Sequence, residues 1–190
     1  MKLFICLNHL ICVNQLGGNN LDENILIQKA RDGCKDSFAQ LIKSRGEKLY
    51  KVAICYVKNE QTALDVVSES TFKAYINIKK LKDIKYFDTW LIRIVINESI
   101  SALRKVKRVI HLEDYKKDIS INLKDKLEEK VDLYNALDKL KKDDKEILVL
   151  RYFGDLKFSD IAKVMKKSEN TIKTKHYRAL DKVRNILEGV

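Results

Sequence analysis

Apolar residues recur at three- and four-residue steps along most of this chain, the spacing that gives a helix one buried face. Over residues 24–57, Ile25, Leu26, Ala30, Phe38, Leu41, Ile42, Leu49, Val52, Ala53 and Tyr56 predict two or three helices, with weak breaks near Gly33 and Gly46. Residues 60–80 predict an amphipathic helix with Ala63, Val66, Val67, Ser70 and Ala74 on one side. Residues 86–108 predict another. There Leu91, Ile94, Val95 and Ala102 face inward, while Arg93, Asn97, Ser101 and Arg104 form a polar stripe ending in Lys105, Lys107 and Arg108. Residues 109–127 lack sustained periodicity and read as a flexible linker. A helix resumes near residue 128, with Leu133, Ala136, Leu137 and Leu140 on one side.

The C-terminal pattern is the most informative. Ile147, Leu148, Val149, Leu150, Tyr152 and Phe153 make an apolar segment after Asp143 and Asp144, whose carboxylates suit the positive end of a helix, and Gly154 is expected to stop it. Ser159 can cap a short helix carrying Ile161, Ala162 and Met165, and a turn of Lys166 and Lys167 leads to Ser168, a second candidate cap. From Glu169 onward Ile172, His176, Ala179, Leu180, Val183 and Leu187 would face the core, which leaves Asn170, Thr171, Lys173, Thr174, Tyr177 and Arg178 outside. Two helices joined by a tight turn, the second basic and polar at its N-terminal end, are a helix-turn-helix that can read a major groove. Residues 166–184 hold seven Lys or Arg against two acids, a balance of +5. The bland alternative is an amphipathic surface helix with a solvated face.

Composition narrows the choice. The 190 residues carry a formal charge of +11, which favours an acidic partner, nucleic acid or an anionic membrane. Charge is clustered: residues 93–108 hold five Lys or Arg against one Glu, whereas 109–130 hold five Lys against six acids. With no proline and six glycines the chain has few helix breakers and few hairpin-turn residues, so the expected class is all-α, two small helical domains on a flexible tether. The cysteines at 6, 12, 34 and 55 form no CxxC pair, so no structural metal is expected. Cys34 and Cys55 read as reduced, packed thiols of a cytoplasmic protein. Histidines 9, 111 and 176 have no nucleophile, paired acid or phosphate loop around them. No enzyme site, cofactor or small-molecule substrate is expected.

Residues 1–20 are oddly apolar beside the charged remainder of the chain. The run is too short for a membrane span, contains Asn8 and His9, and lacks a small-residue cleavage site for a signal peptide. The abrupt change also fits upstream sequence translated in error, with Gly17-Gly18 encoded by a ribosome-binding site and Leu21 by an alternative start codon. The expected organisation is an N-terminal extension at 1–23, a first domain at 24–108, the linker at 109–127 and the helix-turn-helix domain at 128–190.

Two features of the first domain have competing readings. Asp65 and Glu69, one helical turn apart, are either a solvated face or a docking edge for a basic partner. Tyr86, Phe87 and Trp90 precede the basic stripe and offer aromatic faces for an unstacked base; the alternative is that Phe87 and Trp90 seal the core, the favoured role for Trp90.

In order and spacing these pieces resemble the sigma-70 family of bacterial transcription initiation factors, in its small extracytoplasmic-function group. The stretch ALDVVSESTFKAY at 63–75 resembles region 2.2, YFDTWLIRIVINESISALRK at 86–105 regions 2.3 and 2.4, and 143–187 region 4. The likeness runs from about Asn24 to the C-terminus. It implies a factor that binds core RNA polymerase, through the β′ clamp helices and the β flap, and directs initiation at promoter DNA. Asp65 and Glu69 then correspond to the edge that docks on the clamp helices. Tyr86, Phe87, Trp90, Arg93, Asn97, Ser101 and Arg104 correspond to the surface for the minus-10 element, with Asn97 near the flipped base. Asn170, Thr171, Lys173, Thr174, Tyr177 and Arg178 correspond to the minus-35 reader. Ser101 stands where the family often has an aspartate, the loop LKDIKYF at 81–87 is short and basic, and His176 replaces what is often an apolar residue. The wording of 63–105, with the abundance of Lys, Ile and Asn, resembles envelope-stress factors of low-GC Gram-positive bacteria, which implies a membrane-anchored anti-sigma factor. The rival within DNA binding is a helix-turn-helix regulator without sigma activity, binding duplex DNA as a dimer. A helical protein adaptor is the rival outside it.

Overall fold

A computed structural model of the chain describes residues 20–112 and 128–188, with side-chain surroundings for 22–105 and 132–188. All regular structure among these residues is helical. The chain divides into two units, one spanning Leu16–Ile121 and the other holding the C-terminal helices. The expected all-α class with two helical units is therefore what the molecule has.

The first unit contains α1 (Asn20–Arg31), α2 (Lys35–Val57), α3 (Glu60–Asn77) and α4 (Phe87–Leu112). Helices α2, α3 and α4 pack on one another, and α1 packs on α2. Phe38, Leu41, Leu49, Val52, Ala63, Val66, Ala74, Phe87, Leu91 and Val95 form the core. Gly33, at φ +107, makes the turn between α1 and α2, a backbone shape that penalises a Cβ. Gly46 makes no break: α2 runs through it, because packing of Leu41, Leu49 and Val52 outweighs one glycine's cost of about 1 kcal/mol. The Asn59 side chain caps α3 by accepting from the Thr62 amide at 2.9 Å.

Several expectations are corrected. Ile25 is exposed and Ile27 takes the core position of α1; Ile94 and Ala102 are half-buried, while Ile92, Ile96 and Ser99 are buried in α4. Cys55 is fully buried, but Cys34 is an exposed thiol at the start of α2 that accepts a hydrogen bond from Ser37 Oγ at 3.2 Å. Helix α1 begins inside the expected extension, and α4 continues four residues into the expected linker. The rest of both stretches, 1–19 and 113–127, lies outside the described residues.

The second unit contains α5 (Glu128–Asp138), α6 (Lys142–Leu148) with a π turn at Val149–Phe153, α7 (Phe158–Met165) and α8 (Glu169–Glu188). Helix α8 is central, in contact with α5, α6 and α7 through Ile172, His176, Ala179 and Val183. The stop after α6 is not a left-handed glycine. Gly154 keeps a right-handed conformation and donates its amide to the Val149 carbonyl, and Asp155, at φ 52, makes the reversal. Ser159 does not cap α7, whose N-cap is Lys157. Ser168 does cap α8, accepting from the Thr171 amide at 3.2 Å after a left-handed Lys166.

Candidate nucleic-acid interface

The outward face of α8 is built by default: with four core contacts on one side, the remaining positions must face solvent. Asn170, Thr171, Thr174, Tyr177 and Arg178 are exposed, and Lys173 is half-exposed. Local bonds limit their freedom. Thr174 Oγ1 donates to the Asn170 carbonyl at 2.9 Å, and Lys173 pairs with Glu169 at 2.8 Å. Tyr177, 60% exposed, rests edge-on against His176 with ring centres 5.1 Å apart, which orients its ring without covering it.

The positive charge of this helix is less available than the sequence suggests. Asp143 accepts from both Lys167 and Lys175, the latter at 3.2 Å, and these two ammonium groups hold its carboxyl below the usual carboxylate range. Lys182 lies 3.6 Å from Asp144, and Arg184 the same distance from Asp181. Of the seven cations at 166–184, Lys166 and Arg178 have no ion pair among the described residues. Asp143 and Asp144 thus do more than suit a helix terminus. Their partners are 24 to 38 positions away, and no local pattern signals such pairs.

Beneath the face, His176 is buried. Its ring stacks on Tyr152 with centres 5.6 Å apart, Nε2 lies 3.1 Å from the Tyr152 hydroxyl, and Nδ1 has no partner. Burial pushes its pKa down, and the Arg151 guanidinium pushes the same way. This histidine therefore belongs to the core that supports the face.

In the first unit, Arg93, Asn97 and Arg104 are exposed along α4, and Ser101 is half-buried. The aromatic residues divide. Phe87 is 1% exposed, with Arg45 over its ring, so it is a core residue and offers no face to a base. Tyr86 and Trp90 are not buried: Lys85 lies over the Tyr86 ring, and the Trp90 ring centre is 6.0 Å from that of Phe87.

Asp65 and Glu69 are exposed on α3. Lys73 pairs with Glu69 at 3.3 Å and reaches Glu98 on α4 at 2.6 Å, so the acidic edge is tied to the neighbouring helix. The cleft between the helices is lined by Asp65, Glu69, Glu98, Ser101 and Lys105. Ser101 therefore lines the same cleft as the acidic edge, with Lys105 beside it. The sequence placed Ser101 with the basic stripe, because helical spacing gives the residue's own face and not what the next helix brings to it. Elsewhere on α3, Leu64, Phe72 and Ile76 are exposed. Among the described residues no cluster of three or more ligating side chains could hold a metal, and no helix is long and apolar enough to cross a membrane.

Residues 41–109 match the family model described as Sigma-70 region 2, and residues 130–183 match Sigma-70, region 4. RNA polymerase sigma factor SigV of Bacillus subtilis is 33% identical over 156 residues, covering 82% of this chain and 94% of that protein. ECF RNA polymerase sigma factor SigW of the same organism is 26% identical over 179 residues, covering 86% and 96%. Among solved structures, CnrH, determined in complex with the cytosolic domain of CnrY, shares the fold with a TM-score of 0.65 at 22% identity, covering 88% of this chain and 97% of CnrH.

Proposed function

Because this chain belongs to the sigma-70 family of RNA polymerase sigma factors, in its extracytoplasmic-function group, we propose that it is an alternative sigma factor, acting in the cytoplasm, that binds core RNA polymerase and directs initiation at a set of promoters. Asn170, Thr171, Lys173, Thr174, Tyr177 and Arg178, on the outward face at the capped end of α8, read the minus-35 element. The observation that carries this is the composition of that face: five polar or charged side chains and one tyrosine, suited to base edges and phosphates, held on a rigid helix. Tyr86, Trp90, Arg93, Asn97 and Arg104 engage the minus-10 strand, its bases on the aromatic rings and its backbone along the stripe. Phe87 supports that surface from within, and Ser101 faces the cleft.

The Asp65 and Glu69 edge docks on the β′ clamp helices, and the C-terminal unit lies toward the β flap. An anti-sigma factor, membrane-anchored in an envelope-stress circuit, holds the protein inactive; CnrH, which has the same fold, was solved with the cytosolic domain of CnrY bound. The Bacillus relatives and the Lys, Ile and Asn usage support a low-GC Gram-positive host.

Run-off transcription with core polymerase from a related bacterium, on DNA upstream of the protein's own gene, tests the reading. A transcript that depends on the protein supports it. DNA binding by the protein alone with no transcript favours a helix-turn-helix regulator without sigma activity.

A further inference from the structure

The loop between α3 and α4 is held at both ends by arginines from other helices, and neither arginine belongs to the faces assigned to DNA or polymerase. Arg45, on α2, is 7% exposed. It donates to Glu23 on α1, and its Nε donates to Asp88 Oδ1, in the first turn of α4, at 2.5 Å. Its Nη1 donates to the Leu41 carbonyl and to Ser44 Oγ, and the guanidinium lies 5.1 Å from the Phe87 ring centre. At the other end Arg31 Nη1 donates to the Leu81 carbonyl at 3.4 Å, while its Nη2 donates to Gln28 Oε1 at 2.7 Å. Leu81 and Phe87 are buried, whereas residues 82–86 between them are all at least partly exposed.

A buried guanidinium between two carboxylates is not an efficient way to stabilise a fold, since apolar groups of similar volume often do as well. Its distinctive contribution is direction. The planar fork fixes two carboxylates and one ring at set angles, which a lysine cannot do. Phe87 and Asp88, the residues so fixed in α4, end the loop and begin the helix carrying Trp90.

We propose that Arg45 and Arg31 are positioning residues for promoter melting, which hold Leu81–Phe87 in the shape that presents Tyr86 and Trp90 to an unstacked base of single-stranded DNA. The proposal rests on the sigma-factor reading. Such presetting removes the cost of ordering the loop when the base arrives.

Trp90 is the only tryptophan, and its ring centre lies 6.0 Å from that of Phe87, so its emission reports the junction of the loop with α4. Acrylamide quenching of Trp90 in the free protein, thermal melting, polymerase affinity and open-complex formation on a promoter carrying 2-aminopurine in the minus-10 element would be measured for Asp88→Asn, Arg31→Gln and Arg45→Lys. Asp88→Asn keeps the side chain's shape and serves where a change at Arg45 prevents folding. The expected result is greater quenching, unchanged polymerase affinity and a roughly tenfold loss of open complex, with restoration by Asp88→Glu. Earlier melting, with quenching and opening of the folded protein at wild-type levels, would make the bridge mere helix glue and overturn the proposal. Greater quenching with normal opening would overturn it too. If the wild type opens no promoter, the sigma reading falls and the melting role with it, while quenching still decides whether the arginines set the loop.

Discussion

His176 Nε2 lies 3.1 Å from the hydroxyl of Tyr152, and this contact joins the helix carrying the candidate minus-35 reader to the π turn that ends α6. The imidazole is buried with its pKa pushed below the ordinary value of about 6.5. The unfolded chain therefore takes up this proton before the folded one does. Stability is fully present above about pH 6.5 and falls as pH drops from there toward the lower folded value. Thermal melting of the protein from about pH 7.5 to about pH 5 should show this loss, and His176→Leu should flatten the slope over that window. An unchanged slope would assign the titration elsewhere.

Ser70 and Ser99 are both fully buried, but their hydroxyls differ. Ser99 Oγ donates to the Val95 carbonyl at 2.8 Å, whereas Ser70 Oγ has no partner. An unpaired buried hydroxyl costs about 1 kcal/mol or more. Ser70→Ala is expected to raise stability by about 1 kcal/mol, and Ser99→Ala to leave it level or lower it. Urea melts of the two variants check the contrast, and a loss at Ser70 would show that its hydroxyl is satisfied in solution.

Asp143 restrains two lysines, one just before α8 and one in its second turn. Asp143→Asn should free Lys167 and Lys175 for phosphate, tightening non-specific DNA binding and steepening its salt dependence. The same change should weaken the contact of α6 with α8, and in the wild type that contact should fade in acid: the carboxyl's lowered pKa stabilises above the usual aspartate range and is lost as pH falls through the folded value. A salt titration of binding to a random duplex gives the readout. An identical slope would mean that Asp143 does not limit the cations.

Arg178 is exposed on α8 and has no ion pair among the described residues, so its guanidinium is available to a base or phosphate. Arg178→Ala should cost about 1–3 kcal/mol at promoters that depend on the minus-35 element, with polymerase affinity unchanged. Equal transcription from such promoters would remove Arg178 from the interface.

Reversing Asp65 and Glu69 to lysine should impair holoenzyme assembly. Because Glu69 shares Lys73 with Glu98, the Glu69 change also places like charges together on α3, so a melting curve must accompany the pull-down with core polymerase. Normal assembly by the folded double variant would return the edge to a plain solvated face.

Features that depend on spacing along one helix were legible in the amino-acid sequence. Period and the scarcity of breakers dictate α2, α3, α4 and α8, and the face of α8 that is not needed for the core is the one exposed, since both result from 3.6 residues per turn. The Ser168 cap was legible because capping acts over three residues. Tertiary packing decided the remainder. Gly46 stayed helical because core contacts override local propensity, and Asp155 rather than Gly154 turned the chain because the π turn had already moved the reversal. Phe87 went inside, where Arg45 covers its ring; Ser101 came to share a cleft with Asp65 and Glu69 of α3; and the basic run of α8 was partly neutralised from α6. These last three join residues of different helices, and their encounter is set by how helices pack rather than by any period within them.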